Sequence, residues 1–126
     1  NKNLKFYNDL DQAIKKSKSK FIILDNVLQY IENPSYIINI LSRYKGMTII
    51  INQIFFTKKV KDLIIVQKTP ERIYDTSYPL RIFSKNKFLK RLKKHFKIIE
   101  NNKNSNSFDL SFNNTNYISE YLIIKS

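Results

Sequence analysis

Asp25 and Asn26 follow directly on four large apolar residues, Phe21, Ile22, Ile23 and Leu24. An apolar run without polar alternation predicts a strand covered on both faces, the usual state of an interior parallel strand. A carboxylate and a carboxamide then stand at its carboxyl end, where open α/β sheets bind their ligands. The same pair could equally cap a turn. His95, the only histidine, sits between Leu92 and Phe96, where the expected state is a half-buried imidazole with its polar atoms satisfied, although a ring of that pKa also suits general base work.

The rest of the composition narrows the chemistry by exclusion. There is no Cys, so thiolate nucleophiles, Cys-ligated zinc and disulfides are all absent, which fits a cytoplasmic setting. With one Gly and one His, no Gly-rich phosphate loop, paired-His metal site or Ser nucleophile elbow can be built. The chain carries 23 Lys and Arg against 10 Asp and Glu, a formal charge of +13. Such an excess draws phosphates, anionic surfaces and acidic partners without specifying any of them. Hydrophobic residues make up 42% and aromatic residues 13%, enough to fold one domain, residues 1–126. No apolar run approaches the roughly 20 residues that cross a bilayer. The sequence starts at Asn1 rather than Met, so a piece of a longer domain is the expectation.

The elements that would hold Asp25 in place can be read in order. Residues 4–7 predict a short strand, and Asp9 with Gln12 makes a capping pattern before a helix whose stripe is Leu10, Ala13 and Ile14. After the central strand, Asn33 and Pro34 open a helix, Ile37, Ile38, Leu41 and Tyr44 recur at helical spacing, and Gly46 is placed to end it in a left-handed cap. Residues 47–56 predict a second buried strand beside the first, the two joined by a crossover. Residues 63–66 form another apolar run with no assigned partner. Tyr74, Asp75, Thr76, Ser77 and Tyr78 lie in an aromatic, polar loop, a plausible substrate lid or an ordinary surface connection. Ser84 heads a helix with Phe88, Leu89, Leu92 and Phe96 inward and Lys85, Lys87, Lys90, Arg91, Lys93 and Lys94 outward. A strand from Lys97, a polar loop over 101–107, and an antiparallel hairpin built from Phe108, Leu110, Phe112 and residues 117–124 complete the chain.

This order of elements resembles the later part of a class I S-adenosylmethionine-dependent methyltransferase. The wording of residues 25–34, 64–70 and 73–84 is similar to a bacterial methyltransferase family of unassigned substrate. The resemblance implies an α/β fold with a partial Rossmann-like sheet, its first two strands missing, from a parent sheet ordered 3-2-1-4-5-7-6. It implies S-adenosylmethionine as the cofactor of the complete enzyme, with Tyr7, Asn8 and Asp9 near the adenine and Asp25, Asn26 and Val27 near the sulfonium. Tyr74, Ser77 and Tyr78 would lie near the acceptor, a glycan or other small molecule. Asp25, Asp75 and His95 are the candidates for taking a proton. The Gly-rich turn that holds the cofactor's methionine part is absent, so this chain alone is expected to be inactive.

Two other readings compete. A basic nucleic-acid-binding module would account for the charge and the aromatics, with affinity falling steeply in salt. A dimerising fragment without activity would use the unpaired edge of the central strand, since an open hydrophobic edge invites a second chain.

Overall fold

A computed structural model describes residues 4–105 and 110–126. In order, the elements are α1 (Leu10–Ser17), β1 (Phe21–Asp25), a single 3-10 turn (Leu28–Tyr30), α2 (Pro34–Ser42), β2 (Thr48–Thr57), β3 (Leu63–Lys68), β4 (Ser77–Ser84), α3 (Lys85–Leu92), β5 (Lys97–Lys103), β6 (Leu110–Phe112), β7 (Thr115–Tyr117) and β8 (Ser119–Lys125). It is an α/β arrangement around one mixed sheet.

β2 is the organising strand. β1 pairs with it in parallel from Phe21↔Thr48 to Asp25↔Asn52. β8 runs antiparallel along it, and β5 runs antiparallel to β8. The path across the sheet is therefore β1-β2-β8-β5, with β8 alone reversed. β4 joins β2 in parallel only at Phe56↔Phe83 and Thr57↔Ser84 and forms an antiparallel arm with β3. That arm gives the apolar run at 63–66 its place in the sheet. Ile49, Ile51 and Ile54 of β2, Leu122 and Ile124 of β8, Ile38 and Leu41 of α2, and Phe88 and Leu92 of α3 make the main core. A smaller cluster of Phe55, Ile65, Leu80, Ile82 and Tyr117 lies under the arm.

The helix starts follow their sequence signals. The Asp9 carboxylate accepts from the Gln12 amide at 2.7 Å, and Asn33 Oδ1 accepts from the Tyr36 amide at 3.2 Å with Pro34 at the first helical position. Ser84 occupies the N-cap of α3 without a side-chain capping bond; its own amide donates to Asp62 Oδ1 at 2.8 Å.

Several expectations are corrected. Residues 4–7 form no strand; Leu4 and Phe6 are exposed, because β1 offers its ladder only to β2 and nothing holds a strand on its other side. For the same reason β1 is an edge strand and not an interior one, and one of its faces lacks cover as well, leaving Phe21 and Ile23 about two-thirds exposed at 67% and 66%. An apolar run looks alike whether its cover comes from within the chain or from elsewhere. Gly46 does have a positive φ of 70°, yet it lies beyond the α2 cap at Arg43 and serves the turn into β2. Its amide donates to the Ser126 carbonyl. Residues 101–103, expected in a loop, continue β5, since Asn101 Nδ2 finds Glu120 Oε2 at 2.7 Å. Lys85 is half-buried on that same carboxylate instead of facing out. The antiparallel ending is present with other partners: β8 pairs β5, while β6 and β7 form a separate small hairpin turned by Asn113 and Asn114 at φ 48° and 57°. Phe108 lies outside the described residues.

Candidate functional site

At the carboxyl end of β1 the chain turns sharply. Asn26 takes a φ of 50°, tolerable for Asn because a short amide side chain bonds locally in the left-handed region. Its amide donates to the Asn52 carbonyl at 3.1 Å, extending the ladder by one residue, and Val27 then caps the 3-10 turn. Asp25 is exposed at the tip, and its Oδ1 accepts from Asn52 Nδ2 at 2.8 Å. A carboxylate is thus held at the sheet edge and oriented by an amide from the neighbouring strand.

Behind the tip lies a buried amide. Gln29 is 2% exposed, and its Nε2 donates both to Asn26 Oδ1 and to the Gln53 carbonyl, the latter at 3.0 Å. The Gln53 carbonyl is available because β2 bulges there: the register against β8 shifts between Ile51 and Ile54, and Gln53 has a φ of 54°. A bulge frees a carbonyl from its ladder and re-aims the strand beside it. Gln29 Oε1 is buried with no hydrogen-bond partner, an acceptor that would cost about 1–3 kcal/mol if left unmet.

The 3-10 turn also carries Tyr30 against the arm. The Tyr30 and Tyr78 rings meet edge to face, 5.4 Å between centroids, and the Tyr30 hydroxyl donates to Gln67 Oε1 at 3.4 Å. Partial burial raises the Tyr30 phenol pKa, with Tyr78 adding to the effect, so it stays protonated and able to donate at neutral pH. The lip at Asp25 is therefore flanked by a phenol pair.

The residues singled out in the sequence fall into separate places. Asp25, Asn26 and Val27 form the lip, and Tyr78 reaches its flank through Tyr30. Tyr74 and Asp75 are exposed in the loop joining β3 to β4, and Ser77 is exposed where β4 begins, opposite Lys68. Tyr7 lines a hollow with Ser17, Ser19, Phe21 and Met47, at the edge where β1 begins. The Lys16 ammonium stands 5.8 Å from its ring. Asp9 is engaged as the cap of α1, and Asn8 is exposed beside it. His95 is exposed just before β5, whose Lys97 is in register with Lys125 and, through it, Thr48. That is the end of the sheet where β1 starts, about 13 Å along the strand direction from Asp25, and β5 lies three strand spacings, about 14 Å, across the sheet from β1. His95 is therefore corrected on one count, being exposed where a half-buried ring was expected, and it stands apart from the lip.

Gln29, Tyr30, Asn52, Gln53 and Gln67 belong to the site and were not among the candidates. One signal could have found two of them. Asn52 and Gln53 interrupt a ten-residue apolar strand with two amides, which a fully buried strand does not accept unless the ladder breaks there. Among the described residues no group of three or more His, Cys, Asp or Glu could hold a metal. Among the described residues, no helix is long and apolar enough to cross a membrane.

No known protein family matches the sequence, and no curated protein does. The fold is similar to solved structures. One is the N-terminal domain of EvdMO1 with SAH bound, at a TM-score of 0.48 and 6% identity, over 83% of this chain and 44% of that one. The same domain in the presence of SAH and D-fucose aligns at 0.48 and 8%, over 83% and 46%. The glycopeptide N-methyltransferase MtfA, complexed with S-adenosylmethionine, aligns at 0.48 and 6%, over 85% and 57%. The chain spans about half the length of the structures it matches.

Proposed function

We infer that this chain is the carboxyl-terminal portion of a Rossmann-like class I S-adenosylmethionine-dependent methyltransferase domain. The observation that carries the reading is the strand order: β1-β2-β8-β5, with β8 alone reversed, matches the 4-5-7-6 half of the sheet that the sequence resemblance implies. The polar lip then falls at the end of the fourth strand, where the cofactor's sulfonium would approach. Half of the fit is present. Asp25 offers a fixed carboxylate to a cationic centre, and Asn26 and Val27 offer backbone groups, but no Gly-rich turn exists to receive the methionine part, and Tyr7, Asn8 and Asp9 lie at the other edge of β1. The backbone edge of β1 that faces away from β2 is where the remaining strands would stand, and the exposed face carrying Phe21 and Ile23 is where their connecting helices would pack.

The cofactor, when bound, supplies a methyl group activated by positive sulfur. What these residues contribute is alignment and exclusion of water. An acceptor oxygen or nitrogen would approach in line from the side opposite the sulfur; Tyr30 and Tyr78, in contact with each other beside the 3-10 turn, would supply hydroxyls to hold a glycan or other small polar acceptor. The acceptor's proton would leave to Asp25, to Asp75 or to solvent.

Calorimetric titration of S-adenosylhomocysteine tests the reading. The 126-residue chain is expected to bind it undetectably, and the chain extended by the residues encoded before Asn1 is expected to bind it. Tight binding by the short chain, or none by the extended one, would contradict the assignment.

A further inference from the structure

We propose that the groove between α2 and α3 is a second binding site, one that takes a small molecule carrying a phosphate or diphosphate group. The proposal stands apart from the methyltransferase reading, since the groove shares no residue with the lip.

The groove encloses about 400 Å³, with Ile38, Phe83 and Phe88 as its floor and Arg81, Lys87, Lys90, Arg91 and Lys94 on its walls. Among the described residues, the acidic side chains lining it are Glu32 and Asp62. Asp62 is already engaged: one oxygen accepts from the Ser84 amide, and the other pairs with Arg81 NH1 at 3.1 Å. No carboxylate among the described residues pairs with Lys87, Lys90, Arg91 or Lys94. The local excess of positive charge is thus unanswered by the protein.

Three features separate this groove from an ordinary solvated lysine face. The Arg81 guanidinium is held in place by Asp62 and by the Glu32 carbonyl at 3.1 Å, while Arg91 lies beside the Ser35 hydroxyl. A fixed guanidinium loses less freedom on binding a phosphate. Next, the Arg81 Nε is buried with no acceptor among the described residues, a donor left unmet on a residue that lines the groove. Finally, the apolar floor lowers the local dielectric and offers a surface to the uncharged part of a ligand. A volume of this size suits a small molecule better than a duplex backbone, which needs an open convex or grooved track.

The test is an NMR titration of the uniformly labelled chain with inorganic pyrophosphate, repeated with inorganic phosphate, and with a short single-stranded oligonucleotide as a third arm. Pyrophosphate is expected to move the amides of Ser35, Lys87 and Arg91 saturably. Lys87→Glu with Lys94→Glu should weaken it by about tenfold or more. Lys58→Glu with Lys59→Glu, exposed residues after β2, carries the same charge change and should leave the affinity within about twofold once the general field is allowed for. Equal weakening by the two double variants, or shifts spread over all lysine-bearing surfaces, would overturn the proposal. So would an oligonucleotide that binds where pyrophosphate does not, which would assign the charge to a nucleic-acid backbone. Folding of each variant is checked in the same spectra, and these surface changes leave the core untouched.

Discussion

Gln29 joins three segments through one side chain: its own 3-10 turn, Asn26 at the lip and the bulge at Gln53. Gln29→Ala removes the donor from two acceptors in a buried setting, and a loss of about 2 kcal/mol is expected, read as a drop in the urea midpoint. Asp11 makes a different kind of prediction. Its carboxyl is lowered below the ordinary 3.8, first by the hydrogen bond from Lys15, then by that from Tyr44. A carboxylate depressed in the folded state lends stability above its unfolded pKa and withdraws it as pH falls through the folded value. Asp11→Asn should therefore flatten the acid limb of the stability profile between about pH 5 and 2, measured by thermal melts across that range. At this scale Asp9, Asn33 and Pro34 were legible because capping is a local rule. Gln29 was not legible: its importance comes from a bulge in β2, and Gln53 lies twenty-four residues away.

Among the elements, α3 and β8 are fastened by the Lys85 ammonium on Glu120, at 2.8 and 2.6 Å to the two carboxylate oxygens. Glu120 is 8% exposed, so Lys85→Met strands a buried charge with Asn101 as its remaining side-chain donor. Roughly 3 kcal/mol should be lost, the low end for a buried pair because Lys85 keeps some contact with water. Lys85→Met with Glu120→Leu should recover much of that loss, as seen in chemical denaturation. The turn at Asn113 and Asn114 needs two left-handed residues in succession, and Asn113→Val should cost about 1–2 kcal/mol of hairpin stability, visible as faster amide exchange in β6 and β7. Helices and the paired strands β1 and β2 were readable from apolar spacing. The strand at 101–103 was hidden because its side chains are polar, and their partners on β8 are seventeen residues or more distant.

For the whole molecule, the feature that matters is the uncovered side of β1. Phe21 and Ile23 stand open on one face of an edge strand, so both an unpaired backbone edge and an apolar face are offered to a second chain. The isolated chain is expected to self-associate as concentration rises, and Ile23→Lys should suppress this in sedimentation velocity runs. The sequence carried the apolar character of β1 but no mark of where its cover lies, so an interior position was read where this chain leaves an edge. The basic surface, likewise, was legible as a sum of charges, while its gathering into the groove between α2 and α3 depends on how the two helices pack. The claim on which the functional reading turns is that the lip at Asp25 and Asn26 receives a charged cofactor once β1 is flanked. Amide chemical shifts of the extended chain, followed during a titration with S-adenosylmethionine, whose sulfur carries the positive charge, address it directly. The account predicts saturable movement of Asn26, Val27 and Gln29, abolished by Asp25→Ala in a protein that remains folded; movement confined to the opposite edge around Tyr7, or a titration indifferent to Asp25, would contradict it.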